Sequence, residues 1–232
     1  MITSRLDWYL ETNNLLTSSQ AGFRKCQSTN QQVVFLGQSI KDALDQRYSA
    51  LALFVDFEAA FDKRFSAARF GNAISSFKQS ETGLPQGTVI SPILFNIFIN
   101  DLPDLLASDG LTNTALFADD LAIWCSTPKR DQSKLNTILN LTLERLHLWC
   151  IENNMTVNLK KTTCQFFTLN RQPFSSQLVY NAMPVQQSDV SIYLKCAKKR
   201  DMLNRRGLVG LCQKIIQAGA PKAHQTALLW MR

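Results

Sequence analysis

Two adjacent carboxylates, Asp119 and Asp120, lie between the apolar runs TALF and LAIW. Both runs are typical of short β-strands, and a polar pair between two such strands is typical of the tight turn of a β-hairpin. The sequence therefore predicts a hairpin that presents both carboxylates at its turn. Read alone, an acidic pair also fits an ordinary Asp-rich turn, so its meaning depends on the segments around it.

A second apolar run, LALFVDFEAAFD, predicts a strand over residues 51–56 that ends in Asp56. If the two acidic strands lie side by side in one sheet, Asp56 and Asp119 converge. Mg²⁺ is typically held by one or two carboxylates together with substrate phosphates, and a pair of ions can activate an attacking oxygen and stabilise a leaving one. The pattern therefore predicts a divalent metal site with the chemistry of phosphoryl transfer.

Between the two acidic strands, GLPQG at residues 83–87 predicts a loop whose backbone can approach a ligand closely, with the Gln86 amide able to read a nucleotide edge or a ribose. Ser91 is predicted to be the N-cap and Pro92 the first residue of an apolar helix that runs to about Leu102. A loop of this kind is also a common plain connection. Its position between the acidic strands makes it a candidate substrate site.

The remaining pattern predicts a scaffold of helices and strands. Helical spacing of apolar residues predicts one helix over residues 29–47 and another over residues 131–152, the second ended by Asn153 and Asn154. Further strands are predicted near residues 155–159, 164–169 and 190–194. These elements together indicate an α+β fold in which helices pack against a mostly antiparallel sheet.

The order of these segments resembles the palm of reverse transcriptases. The runs SSQAGFRKCQSTNQQV, FNIFINDLP and LFADDLAIW are similar to the polymerases of non-LTR, LINE-type retrotransposons, particularly the Jockey-like group, and the resemblance spans nearly the whole chain. It implies an α+β reverse-transcriptase palm with partial fingers and a remnant of the thumb. The expected boundaries are residues 1–50 for the partial fingers, 51–194 for the palm and 195–232 for a basic thumb-like remnant.

The resemblance also implies an RNA-directed DNA polymerase that uses Mg²⁺ or Mn²⁺, an RNA template, a DNA primer and deoxynucleoside triphosphates. Asp56 and Asp119 fall where the family has its catalytic metal ligands, and Asp120 is the less directly bound partner. The residues expected to contact the nucleotide are Phe61 as a steric gate against a ribose 2′-hydroxyl, Gln86, Gly87, Arg24 in QAGFR, and Lys161 near the pyrophosphate. A solvated lysine between two strands is the alternative for Lys161.

Three segments differ from this family's pattern. Twenty residues separate Asp62 from Gly83, where such polymerases carry a longer helical connection. The run VSIYL at residues 190–194 resembles a primer-grip strand without the hairpin that follows it, and the first finger segment is missing from the chain's beginning. We therefore expect a truncated and internally shortened polymerase. A catalytically inactive, nucleic-acid-binding remnant is the alternative function.

Basic residues are concentrated towards the end of the chain. The net charge is +7, and residues 195–232 hold nine basic residues against one acidic residue, so the rest of the chain is close to neutral. Such a segment favours contact with a phosphate backbone, with an affinity that falls as salt rises. The residues expected to bind nucleic acid are Lys198, Lys199, Arg200, Arg205 and Arg206. A solvated tail is the alternative, and the same clusters are compatible with nuclear import.

Composition and motif content exclude several other classes. The chain is 45% hydrophobic and 19% charged, as in ordinary globular domains, and its six cysteines lack zinc-ligand spacing, so we expect reduced, mostly packed thiols. A phosphoacceptor receiver domain has its acidic pair first in the chain, whereas here Asp56 precedes the pair. The sequence lacks a signal peptide and a run long enough to span a bilayer, which predicts an intracellular protein of the nucleus or cytoplasm with no membrane partner.

Overall fold

The structure is a computed structural model that describes residues 2–58, 89–169 and 174–188, together with the backbone of four short strands between residues 63 and 81. The helices of this part are α1 (Ile2–Thr12), α2 (Thr29–Asp45), α3 (Ser91–Phe98), α4 (Leu102–Leu106) and α5 (Ser133–Glu152), with a 3-10 turn at Lys129–Asp131. The strands are β1 (Tyr48–Val55), β2 (Phe57–Glu58), β3 (Lys63–Ser66), β4 (Arg69–Phe70), β5 (Ala73–Ile74), β6 (Lys78–Glu81), β7 (Asn113–Phe117), β8 (Asp120–Pro128), β9 (Thr156–Val157), β10 (Thr163–Phe167), β11 (Val179–Tyr180), β12 (Met183–Pro184) and β13 (Gln186–Gln187).

A five-stranded sheet in the order β13-β10-β1-β8-β7 organises the fold. The central strand β1 is antiparallel to both β8 and β10, and β7 and β8 form a hairpin. Within this sheet the short β10 and β13 pair is parallel. The remaining strands form two-stranded pairs, namely β2 with β9, β3 with β6, β4 with β5 and β11 with β12. The predicted α+β fold with a mostly antiparallel sheet is therefore confirmed.

Residues of β1 alternate between two hydrophobic cores. The odd-numbered residues from Leu51 to Val55 pack with α3, α4 and α5 on one face of the sheet. The even-numbered residues from Ala50 to Phe54 pack with α2 on the other face. Because side chains alternate along a strand, a strand that is covered on both faces needs apolar residues at every position. This explains the continuous apolar run that ends at the first candidate carboxylate.

The two long helices follow the predictions closely. Helix α2 begins after Ser28, whose hydroxyl accepts from the backbone of Gln31 while the Gln31 side chain accepts from the Ser28 backbone, so both ends of a capping box are present. Helix α5 ends at its C-cap Asn153, and Asn154 takes a left-handed conformation with φ of 52°. Both helices are therefore delimited by local chemistry that the sequence displays.

The predicted start and end of the apolar helix after the Gly/Pro loop are wrong. The N-cap is Ile90, without a side-chain cap, and Ser91 is instead the first, buried residue of α3. The helix ends at Phe98, and the chain restarts as α4. In a continuous helix the ring of Pro103 would clash with the carbonyl of Ile99. Proline also has no backbone N–H to donate to that carbonyl, so the helix breaks before it.

Three further expectations concern the later strands, the cysteine thiols and membrane-spanning helices. The strands predicted near residues 155–159 and 164–169 are present as β9 and β10, whereas the strand predicted at residues 190–194 lies outside the described residues. Burial raises the pKa of the Cys125 thiol to about 12 and that of the Cys150 thiol to about 11, as expected for packed, unreactive thiols. Within the described ranges, no helix is long and apolar enough to cross a membrane.

Candidate active site

A two-residue turn, Ala118 and Asp119, joins β7 to β8, with Phe117 and Asp120 paired across its base. Ala118 has φ of 58°, whereas Asp119 is not among the residues with positive φ. A positive φ at the first central position alone is the pattern of a type II′ hairpin turn, where glycine is usual. The predicted hairpin is confirmed, and Asp120 is the first residue of β8 rather than a residue of the turn itself.

Asp56 lies at the end of β1 that is next to the acidic pair. It follows β1 directly, and the last pair of the β1 and β8 ladder joins Val55 to Leu121. Continuing that register by one residue places Asp56 opposite Asp120, and side chains of directly opposed residues share one face of an antiparallel pair. Asp119 is one residue further, in the turn. The structure thus brings the three predicted carboxylates, all half-buried, to one end of the paired strands β1 and β8.

The carboxylates fit a divalent cation only in combination with a substrate. Within the described residues, no group of three or more His, Cys, Asp or Glu side chains is placed to hold a metal ion. Mg²⁺, however, typically takes one or two protein carboxylates and completes its shell with water and substrate phosphates. The hard carboxylate oxygens of Asp56 and Asp119 match that donor set.

Lys161 reaches this end of the strands beside Asp56. Its Nζ lies 3.7 Å from Oδ1 of Asp56, and its side chain is 62% exposed, so the ion pair contributes little stability. The two segments are joined through the backbone of Asp56. Its N–H donates to Oγ1 of Thr162 at 3.3 Å, and its carbonyl accepts from Asn158 N–H at 2.8 Å. The segment that contains Lys161 is therefore attached to the end of β1.

The turn that carries Asp119 is held by Gln20, a residue from the connection between α1 and α2. The Gln20 side chain is buried, and its Oε1 accepts from the N–H of Ala118 at 3.0 Å and from that of Gly22 at 2.7 Å. Its Nε2 donates to the carbonyl of Ala118 at 3.2 Å. A single amide therefore bonds both backbone groups of the first turn residue.

The backbone around Gln20 also pairs with the edge strand of the sheet. Leu116 of β7 donates to the carbonyl of Ser19 at 2.8 Å, and the Leu116 carbonyl accepts from Ala21 N–H at 2.9 Å. This short parallel bridge satisfies backbone groups of β7 that would otherwise lie at an open sheet edge. The connection between α1 and α2 therefore both covers the edge and delivers Gln20 to the turn.

Gly22 packs directly against the turn. A Cβ atom at this position would lie 2.1 Å from the backbone nitrogen of Ala118, so no other residue fits without displacing the backbone. The carbonyl of Gly22 accepts from Nδ2 of Asn96 in α3 at 2.9 Å. Asn96 is buried, and its Oδ1 has no hydrogen-bond partner within the described residues. The acidic turn, the α1 to α2 connection and α3 thus form one continuous contact.

Arg24, expected to contact the nucleotide, has four hydrogen bonds inside the protein. Its Nε and Nη2 form a bidentate pair with Glu11 of α1 at 2.8 and 2.7 Å. Its Nη1 donates to the carbonyls of Thr17 at 2.7 Å and Gln20 at 3.1 Å. These bonds occupy four of the five guanidinium N–H groups and fix the backbone that carries Gln20. Contact between Arg24 and a nucleotide stays a prediction.

Sequence reasoning missed Gln20, Gly22, Asn96 and Thr162, whose contacts with the carboxylate-bearing segments depend on packing between distant elements. The run QAGFR was recognised as a unit, but only its arginine was selected as a site residue. The site predictions that lie outside the described residues are Phe61, Gln86, Gly87, Lys198, Lys199, Arg200, Arg205 and Arg206.

A model of the family described as "Reverse transcriptase (RNA-dependent DNA polymerase)" matches residues 1–189. The chain therefore belongs to the reverse transcriptase family.

The chain is also similar to polymerases of insect mobile elements. It is 27% identical to the "Probable RNA-directed DNA polymerase from transposon BS" of Drosophila melanogaster, over 84% of this chain and 25% of that protein. It is 26% identical to the "RNA-directed DNA polymerase from mobile element jockey" of Drosophila funebris, over 72% of this chain and 22% of that protein. These relatives confirm the LINE-type resemblance, and the chain spans about a quarter of their length.

Among solved structures, "Structure of apo telomerase from Candida Tropicalis truncated from C-terminal domain" matches with a TM-score of 0.47 and 12% identity. The match covers 83% of this chain and 42% of that one.

Proposed function

We propose that this chain carries the palm of an RNA-directed DNA polymerase, which adds a deoxynucleotide to a primer 3′-hydroxyl on an RNA template. The observation that carries the proposal is the strand register: its last pair is Val55 with Leu121, so the next residues, Asp56 and Asp120, fall opposite each other, with Asp119 in the adjoining turn. Under this proposal residues 1–50 belong to the fingers, 51–194 to the palm and 195–232 to a basic, thumb-like segment that contacts nucleic acid.

Asp56 and Asp119 are the residues that would hold Mg²⁺ or Mn²⁺, with Asp120 as a less direct partner. Bound there, the ions would activate the primer hydroxyl and neutralise charge on the phosphates. The primer oxygen forms a bond to the α-phosphorus while the bond from that phosphorus to the pyrophosphate oxygen breaks, so no covalent enzyme intermediate is needed. Lys161, beside Asp56, would offer its ammonium group to the departing pyrophosphate.

Selection of the nucleotide falls to residues outside the described part of the chain. We propose that the ring of Phe61 crowds a ribose 2′-hydroxyl, and that Gln86 and Gly87 line the nucleotide pocket. Exclusion by shape acts through the difference in binding between deoxynucleotides and ribonucleotides.

Primer extension tests the polymerase proposal. The protein would be given an RNA template, a DNA primer and deoxynucleotides with Mg²⁺ or Mn²⁺, and compared with an Asp119→Asn variant. Asp45→Asn is a matched control, because Asp45 is an exposed acid at the end of α2, close in sequence to the start of β1 rather than to its carboxylate-bearing end. We expect extension by the wild type and by Asp45→Asn and none by Asp119→Asn. Equal extension by the two variants would remove the assignment of Asp119.

The basic segment at residues 195–232 favours a second candidate function, a protein that binds nucleic acid without polymerising it. The same experiment separates the two. A folded wild-type protein that extends no primer with either metal, yet binds RNA with an affinity that falls as salt rises, would have this second function.

A further inference from the structure

We propose that Gln20 is a positioning residue for the polymerase reaction: it holds the Ala118 and Asp119 turn in the shape that places the Asp119 carboxylate. The proposal deepens the proposed polymerase function and rests on it. Gln20 is not proposed to contact the substrate or a metal ion. It acts through the backbone of the turn.

The turn needs an external support because its own sequence disfavours its conformation. Ala118 has a positive φ where glycine is usual, which costs on the order of 1–2 kcal/mol for a residue with a Cβ atom. Ala118 is also buried, so its backbone N–H cannot turn to water for a partner. A strained, buried turn persists only when surrounding contacts over-determine it.

Gln20 supplies those contacts with matched polarity. Its amide offers an oxygen to the N–H of Ala118 and an N–H to the carbonyl of Ala118, so the peptide groups on both sides of this residue are fixed in direction. Asp119 is the next residue, and its Cα position follows from the orientation of the peptide group it shares with Ala118. A change at Gln20 therefore moves Asp119 without touching it.

Gln20 is itself fixed from two sides. Its Oε1 accepts from the N–H of Gly22, and its carbonyl accepts from Nη1 of Arg24. Arg24 in turn is bound to Glu11 of α1 in a bidentate pair. The support therefore leads from the turn into a helix through a series of hydrogen bonds, as a functional carboxylate requires of the residues behind it.

Amide hydrogen exchange measures the support directly. In Gln20→Met the side chain keeps its length but loses the acceptor for the Ala118 N–H, so exchange of this amide, followed by NMR, is expected to accelerate about tenfold or more. Gln165→Met is the matched control, because Gln165 of β10 is equally buried but lies two strands from β8 in the sheet. Unchanged exchange at Ala118 in Gln20→Met would overturn the proposal.

Steady-state primer extension measures the consequence for catalysis. We expect kcat of Gln20→Met to fall about 10- to 100-fold, because small displacements of a reacting group have effects of that size. The KM for the deoxynucleotide is expected to change less than about threefold, and the Mg²⁺ concentration for half-maximal rate to rise, since nucleotide contacts stay but the Asp119 carboxylate moves. Gln165→Met is expected to keep the wild-type kcat and Mg²⁺ dependence.

A purely structural role of Gln20 would give a different pattern. The substitution would lower the fraction of active molecules, which is counted from the amplitude of the pre-steady-state burst. It would leave kcat per active molecule and the Mg²⁺ dependence unchanged. That result would overturn the positioning role. If the wild type extends no primer at all, the proposed polymerase function fails, and the catalytic role of Gln20 fails with it. Faster exchange of the Ala118 amide in Gln20→Met would then still show that the hydrogen bond between Gln20 and Ala118 exists.

Discussion

Steric demands on single residues shape the turn that carries Asp119. Ala118 takes a positive φ, and Gly22 lies against its backbone so closely that a methyl group has no room. These are two separate requirements, one on conformation and one on space. At the residue scale the acidic turn is therefore constrained by an alanine and a glycine that have no chemistry of their own.

Gly22→Ala is expected to destabilise the protein by about 2 kcal/mol or more, because a Cβ atom would lie 2.1 Å from the Ala118 nitrogen and the backbone must move. Gly110→Ala separates space from conformation, since Gly110 has φ of 67° and a Cβ atom added there would meet nothing within 4 Å. Its expected cost is about 1 kcal/mol, from backbone strain alone. Urea denaturation measures both costs, and a smaller loss of stability for Gly22→Ala than for Gly110→Ala would contradict the close packing of Gly22 against Ala118.

Three elements that are distant in sequence meet at the acidic turn. The connection between α1 and α2 pairs with β7 through Leu116, and α3 contacts the same connection through Asn96 and the carbonyl of Gly22. Helix α1 joins through Glu11 and Arg24. At the element scale, α1 is therefore attached through the Glu11 and Arg24 ion pair, whose strength depends on pH, together with the Asp7 and Lys25 pair and an apolar cluster that includes Leu10 and Ile93.

Glu11→Gln tests this attachment through pH. The hydrogen bond from Arg24 is the largest cause that lowers the pKa of Glu11 below its ordinary value of 4.5. The unfolded chain then binds more protons than the folded one in the range between the lowered pKa and 4.5, so the stabilising effect is present above this range and is lost as pH falls through it. The stability difference between wild type and Glu11→Gln is therefore expected to be larger at about pH 7 than at about pH 3.

Urea denaturation at several pH values measures this difference. Glu144→Gln is a suitable control, because Glu144 is exposed on α5. A stability difference for Glu11→Gln that is the same at all pH values would show that the ion pair with Arg24 does not form in solution.

At the scale of the whole molecule, positive charge and the acidic edge are segregated along the chain. The carboxylates lie at one end of β1, and the excess of basic residues falls in residues 195–232. Phosphate contacts release counterions but read no base sequence. A basic segment therefore affects the salt dependence of nucleic-acid binding more than the preference for particular base sequences.

Neutralising the basic segment is expected to weaken RNA binding and flatten its salt dependence. The five substitutions to glutamine are at Lys198, Lys199, Arg200, Arg205 and Arg206. If each contacts one phosphate, the slope of log K against log salt falls in magnitude by about 3.5 to 4.5. A control of equal charge replaces Lys41, Arg47, Lys129, Arg130 and Lys134, near the other end of β1. Equal slopes for the two variants, measured by fluorescence anisotropy, would show that the basic segment has no special role.

Local patterns accounted for most of the secondary structure. The capping box at Ser28 and Gln31 and the left-handed Asn154 delimit α2 and α5 through contacts within a few residues, so the sequence displays them. The break after α3 is only partly local: Pro103 cannot continue the helix, but Asn100 donates to the carbonyl of Leu15 and accepts from the N–H of Thr17, and both partners lie more than eighty residues away in the sequence. No window along the chain contains such partners.

The sequence by itself determined the place of the hairpin and the positions of Asp56, Asp119 and Asp120 at or beside the ends of apolar strands, because an apolar run interrupted by carboxylates is a local property. The tertiary structure alone decided that β1 and β8 pair in the register that joins Val55 to Leu121, so that Asp56 and Asp120 come next on the two strands. It alone also brought Gln20 to Ala118, 98 residues further along the chain. A hydrogen bond over that separation exists only after the sheet has formed and its edge has been covered, so no local pattern encodes it.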